Sequence, residues 1–138
     1  MRLAPDEARL RLAAARVARL ATISPDGHPH VVPVTFAVAG DAIYTAVDAK
    51  PKRTPRLRRL SNVRANPRVA LLADHYDEDW SALWWARADG LAAVLDDEAG
   101  MAAPIGLLSR RYSQYEENTP TGPVIAIRVL RWSGWAAT

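Results

Sequence analysis

The sequence predicts a mainly β (α+β) domain in which six strands and a few short helices build one small closed barrel. Three observations point there. Most apolar segments alternate at a period of two, turn dipeptides join them locally, and helical spacing appears only in short stretches. A doubly wound sheet would need a helix after almost every strand, and that rhythm is absent. At 138 residues and 49% hydrophobic composition, the chain is expected to form one domain over residues 1–138, with a core of its own.

The elements follow in order. Pro5, Asp6 and Glu7 open a helix expected over residues 5–18, because proline and acids suit the first turn; Leu3, Leu10, Ala14 and Val17 are its expected buried stripe. Leu20 to Ser24 reads as a strand, closed by the turn residues Ser24-Pro25-Asp26-Gly27. A second strand is expected from Pro29 to Val38. Pro33 lies inside it, removing a ladder donor, so this strand belongs at an edge or a bulge. Ala39-Gly40-Asp41 turns into a third strand, Ala42 to Val47.

Leu57, Leu60 and Val63 then recur at helical spacing until Asn66-Pro67 stops the helix. Arg68 to Ala73 is the next strand and Asp74 to Asp79 an acidic connection. Leu83 to Leu95 is a long strand whose interior Gly90 predicts a bulge or a barrel corner. A helix runs from the acids at 96–98 to about Tyr112, Ser113 to Pro123 is a loop, and Val124 to Trp132 is the last strand.

Charge is lopsided. Residues 1–68 carry 13 Lys/Arg against 5 Asp/Glu, and residues 69–138 carry 5 against 10. Between Lys50 and Arg59 stand six cations, Lys50, Lys52, Arg53, Arg56, Arg58 and Arg59, with no acid among them. The segment links a strand to a short helix, where an anion meets side-chain charge and backbone N–H groups together; a solvated basic loop is the plain alternative. Nucleic acid is not expected as a partner, because the cations form one loop and the chain shows no helix-turn-helix spacing, zinc ligand set or basic strand interleaved with aromatics.

The chain has no cysteine, which removes disulfides, thiolate catalysis and Cys-type metal sites, and a cytoplasmic location is expected. Arg9, Arg11, Arg16 and Arg19 interrupt the amino-terminal segment, so it lacks the apolar run of a signal peptide. No stretch is apolar for the length of a membrane span, and no membrane partner is expected. The motifs of dinucleotide binding, phosphate loops and serine hydrolases are absent, so any redox chemistry would be carried by a bound cofactor.

His28 and His30 share one strand face near Asp26, but they read as polar positions at the mouth of a hairpin, and no metal site is assigned. His75 and its acidic neighbours read as a solvated face. Adjacent Trp84 and Trp85 must point to opposite faces of their strand, one toward the barrel and one toward a partner or a flat ligand. Tyr44, Tyr112 and Tyr115 have the chemistry of a proton donor, although core or surface roles fit each as well.

Several segments together carry a family resemblance. Ala18 to Phe36 (ARLATISPDGHPHVVPVTF), Asp48 to Arg53, Arg59 to Val69 (RLSNVRANPRV), Trp85 to Gly90, Tyr112 to Tyr115, Gly122 to Ile125 and Trp132 to Trp135 resemble, in order and spacing, the pyridoxamine 5'-phosphate oxidase-like split-barrel superfamily. More narrowly they resemble its actinobacterial branch of coenzyme F420-dependent enzymes. The resemblance implies a six-stranded split β-barrel of the FMN-binding, PNP-oxidase-like type, a homodimer with the cofactor held between subunits, and hydride transfer between reduced F420 (a deazaflavin) and an unsaturated small-molecule substrate. It places Arg58 and Arg59 at the cofactor phosphate, with Lys50, Lys52, Arg53 and Arg56 just upstream, and the backbone of Val32, Pro33 and Val34 against the ring. FMN in place of F420, or a non-catalytic binder of F420 or a tetrapyrrole such as haem, are the alternatives it leaves open.

Overall fold

In the computed structural model, which describes residues 1–47 and 57–138, the chain runs through α1 (Pro5–Ala14), β1 (Ala18–Ile23), β2 (Pro29–Val34), β3 (Ala37–Ala39) and β4 (Ala42–Ala46). It continues with α2 (Arg58–Ala65), β5 (Arg68–His75), β6 (Trp84–Leu95), α3 (Glu98–Arg111), α4 (Gln114–Glu117) and β7 (Val124–Ala136). A 3-10 turn at Trp80–Ala82 closes the connection between β5 and β6, where the Asp79 carboxylate accepts from the Ser81 N–H.

The strands form one antiparallel sheet in the order β2-β1-β5-β6-β7-β4-β3. Strands β2 and β3 follow each other in the chain yet lie at opposite edges. Only Thr35 and Phe36 join them, a link of at most about 11 Å when extended, so the sheet must roll until its two edges nearly meet. They are not paired to each other, and the barrel is closed by the chain while remaining split between its edge strands.

The count is therefore seven strands and not six, because the strand expected over Pro29 to Val38 breaks at Thr35 and Phe36. The cause is visible in the hydrogen bonds. The Phe36 N–H donates to the Tyr112 hydroxyl at 3.1 Å and the Tyr112 hydroxyl lies 3.0 Å from the Phe36 carbonyl, while Thr35 Oγ1 meets Tyr115 Oη at 2.7 Å. The Tyr112 hydroxyl takes the Phe36 backbone groups that a ladder would have used, while Tyr115 holds the Thr35 side chain.

Inside the barrel Leu20, Phe36, Ile43, Leu71, Ile125 and Ile127 are fully buried. A second cluster, including Met101, Leu108, Tyr112 and Tyr115, packs α3 and α4 against β3, β4 and β7. Helix α1 is shorter than expected, ending at Ala14, and it buries Ala8 and Leu12 while Leu10 is 59% exposed. The buried stripe differs because α1 packs on β6 and β7 through Ala8 and Leu12; a Cβ at Gly134 of β7 would fall 2.7 Å from the Trp85 carbonyl oxygen and 2.9 Å from a Leu3 methyl. Gly90 marks the expected irregularity: the β6–β7 register shifts between Asp89 and Gly90, leaving Leu130 as the extra residue on β7. The last strand runs four residues further than expected, to Ala136, because the amino-terminal residues pair with its end: Leu3 N–H donates to Gly134 O and Ala136 N–H to Met1 O.

Candidate functional site

Strand β2 is an edge strand, as Pro33 requires, and the register shows which of its backbone groups are free. Ser24 N–H donates to His28 O at 2.9 Å, so His28 faces its partner across the hairpin. Bonding alternates along an antiparallel pair, and the pairs Thr22–His30, Leu20–Val32 and Ala18–Val34 continue the same parity. Pro29, Val31 and Pro33 consequently turn their backbone outward. This edge offers their three carbonyls and a single N–H, that of Val31, since two of the three residues are prolines. Of the expected ring contacts, Pro33 has its carbonyl on the open edge, while the backbones of Val32 and Val34 belong to the ladder and their side chains point toward the core.

Helix α2 begins beside this hairpin. Leu57 is its N-cap and supplies no side-chain bond, and its first turn holds Arg58 and Arg59 with no acid. Cations at the positive end of a helix dipole are favoured when an anion joins them, and the N–H groups of a helix start can donate to the same partner. Leu60 and Val63 bury the opposite face, and the fully buried Asn62 donates from Nδ2 to Thr22 Oγ1 at 3.0 Å, fixing α2 on β1. Arg58 is exposed and Arg59 half-buried. Lys50, Lys52, Arg53 and Arg56 lie outside the described residues.

Two further groups converge on this corner. His30, opposite Thr22 on β2, carries an Nδ1 atom that is buried and finds no hydrogen-bond partner among the described residues. In the hairpin turn the Ser24 hydroxyl bonds the Asp26 carboxylate; that bond foremost, then backbone N–H groups and the charge of Arg58, hold the Asp26 carboxyl below its ordinary pKa. Arg58 thus acts on the turn between β1 and β2, tying the basic helix start to the open strand edge. Among the described residues no group of three or more His, Asp or Glu side chains is arranged for a metal ion, and no helix is long and apolar enough to cross a membrane.

A second feature lies on the outer face of the sheet. Cross-strand neighbours Pro33, Arg19, Leu72 and Arg87 form a row over β2, β1, β5 and β6, and Asp74, Trp85 and Trp135 form the next. Where the rows reach the β5–β6 connection, a cavity of about 470 Å³ opens, lined among others by Leu72, Tyr76, Leu83, Trp85, Arg87 and Trp135. The doubled tryptophan at 84 and 85 signalled one of these walls. Leu72, Tyr76, Leu83 and Arg87 carried no signal, because their meeting depends on a strand register that no local pattern specifies. Tyr112 and Tyr115, the tyrosines with proton-donor chemistry, are buried and bonded to Phe36 and Thr35.

A rolled antiparallel sheet with unpaired edge strands, joined edge to edge by a two-residue link, defines a split-barrel fold. Residues 4–136 match the pyridoxamine 5'-phosphate oxidase family, and the chain belongs to it. Its fold is similar to that of an FAD-binding protein from Mesorhizobium loti, with a TM-score of 0.76 and 26% identity over 97% of this chain and 93% of that one. An FAD-binding protein from Mycobacterium smegmatis (TM-score 0.65, 22% identity, 98% and 96% covered) and the haem storage protein HutZ from Vibrio cholerae (0.69, 16%, 99% and 95%) share the fold. No curated protein sequence matches the chain.

Proposed function

We propose that the protein is an oxidoreductase that holds the deazaflavin coenzyme F420 between two copies of the chain and serves hydride transfer to an unsaturated small molecule. The observation that carries this reading is the start of α2: two arginines, no acid and no side-chain cap, beside the open edge of β2. Arg58, Arg59 and the N–H groups of that first turn would hold the coenzyme phosphate. Lys50, Lys52, Arg53 and Arg56 precede it in sequence and give more positive charge than a flavin monophosphate needs, which favours a coenzyme with a phosphodiester and a carboxylate tail. The carbonyls of Val31 and Pro33 and the N–H of Val31 would meet the polar edge of the ring, and His30 Nδ1 nearby is a buried atom with no hydrogen-bond partner among the described residues.

When bound, the coenzyme supplies the hydride; the chain orients the ring against β2 and keeps water from it. A second copy is the expected partner. Outer-face Ala21 and Ala70 lie in one row with Val31, which is 60% exposed, and this low apolar strip permits close approach of another sheet.

A flavin is the second reading, favoured by the 26% identity to the FAD-binding protein of Mesorhizobium loti. Titrating F420 and FMN separately into the purified protein, and into Arg58→Ala/Arg59→Ala, decides between them. We expect F420 to bind more tightly and the double variant to lose about 3–6 kcal/mol, since charge-assisted hydrogen bonds are worth about 1.5–3 kcal/mol each. Unchanged affinity in the variant moves the phosphate elsewhere, and tight FMN with no F420 binding replaces the deazaflavin by a flavin. Bound coenzyme that reduces nothing in a panel of enones, quinones and nitroaromatics leaves a binder and not an enzyme.

A further inference from the structure

The cavity on the outer face has a shape and a charge balance of its own. Its floor is Leu72 of β5, a short side chain between taller neighbours. Trp85 of β6 and Trp135 of β7 are cross-strand partners and rise on the same face, while Tyr76 and Leu83, from the connection between β5 and β6, close the end. Tall aromatic walls over a low aliphatic floor make a trough, and its volume of about 470 Å³ falls in the range of small-molecule sites, about 300–1,000 Å³.

The charges around the trough are already paired. Arg87 Nε lies 3.0 Å from Asp89 Oδ2, with its guanidinium 5.5 Å over the Trp85 ring. Arg19 Nη1 lies 3.4 Å from Asp74 Oδ1. A carboxylate entering the trough would meet Asp74, and an ammonium group would meet Arg87; either would have to break a pair to gain one. The Trp135 indole and the side of Trp85 that Arg87 does not cover offer dispersion and stacking to a flat molecule at no such cost.

From this we infer that the trough is a binding site for an uncharged, flat, conjugated molecule of two or three fused rings. It is separate from the α2 phosphate corner: Pro33 and Arg87 stand three strands apart, about 14 Å across the sheet. Binding there needs no coenzyme, so failure of the oxidoreductase reading leaves the inference standing, provided that a second copy on the neighbouring row of Ala21 and Ala70 leaves the trough open.

The test uses ¹⁵N-labelled protein without coenzyme and follows the indole N–H signals, assigned with Trp85→Phe and Trp135→Phe, during titration with 2-methoxynaphthalene, 2-naphthoate and 2-naphthylmethylammonium. The expected result is a saturable shift of the Trp85 and Trp135 signals, with the neutral probe at least tenfold tighter than either charged one. Leu72→Trp fills the floor and should abolish binding while the other indole signals keep their folded dispersion. The inference is overturned by charged probes binding as well as the neutral one, by binding that survives Leu72→Trp, or by an absence of saturable shifts at the two indoles. Indole signals that respond to protein concentration alone also overturn it, since a second copy would then fill the trough.

Discussion

Asn62 of α2 and Thr22 of β1 are joined inside the core, Nδ2 to Oγ1 at 3.0 Å, with 1% and 2% of their surfaces exposed. This is the one side-chain bond between the helix that presents Arg58 and Arg59 and the strand that carries β2, among the described residues. A buried polar pair of this kind is costly to break from one side and nearly neutral to replace from both. Asn62→Leu, which leaves the Thr22 hydroxyl unpaired, should lower stability by about 1–3 kcal/mol in urea denaturation. Adding Thr22→Val should recover most of that loss. Additive losses in the double variant would mean that the two residues act separately.

Tyr112 is the stronger clamp on the break between β2 and β3. Its hydroxyl accepts from Phe36 N–H at 3.1 Å and Arg111 Nε at 3.1 Å, and it has Arg16 O and Phe36 O as acceptors at 2.9 and 3.0 Å. Tyr115 makes its 2.7 Å contact with Thr35 in a half-buried setting. Tyr112→Phe orphans a buried N–H and should destabilise by about 1–3 kcal/mol, while Tyr115→Phe should cost about 0.5–1.5 kcal/mol. Denaturant midpoints in the reverse order would remove Tyr112 from this role.

Gly90 is required by backbone and not by a flexible neighbour. A Cβ there would stand 2.3 Å from the Arg128 carbonyl oxygen in the paired strand. Gly90→Ala should therefore cost at least about 2 kcal/mol, near the upper part of the range for overpacking, because a ladder carbonyl cannot rotate aside as a side chain can. Gly27→Ala, strained by a φ of +83° but with open space around it, should cost about 1 kcal/mol. Equal effects measured by thermal or urea unfolding would show that the strand had shifted at little expense.

Local chemistry made much of this fold readable. Ser24-Pro25-Asp26-Gly27 announces the first hairpin, Gly90 the register shift, Asn66-Pro67 the end of α2 and Pro33 an edge strand, each because those residue types are at home in few other backbone settings. What stayed hidden was long-range. Nothing within residues 29–38 shows that Tyr112 reaches back to take the backbone bonds of Phe36 while Tyr115 holds the Thr35 side chain, so one strand is expected where two stand. The buried face of α1 is hidden for the same reason: Ala8 and Leu12 lie inward only because β6 and β7 pass beneath that side of the helix. At the candidate site the cluster of cations was plain in the sequence, whereas the free edge at Pro29, Val31 and Pro33 follows from a pairing parity fixed by the hairpin register.

Asp26 gives a titration that reads the same corner. Its folded pKa is lowered, so its contribution to stability is fully present above the unfolded value near 3.9 and is lost as pH falls through the lower folded value. Because the Ser24 hydroxyl is the largest cause and Arg58 a lesser one, Ser24→Ala should raise the Asp26 carboxyl pKa more than Arg58→Ala does, measured by ¹³C carboxyl shifts. An anion bound at the start of α2 would offset the Arg58 charge that Asp26 senses. Adding inorganic phosphate at constant ionic strength should then move the Asp26 pKa upward in the wild type and leave it unmoved in Arg58→Ala. A pKa that ignores phosphate in both proteins would place the anion out of reach of Arg58, and with it the coenzyme phosphate.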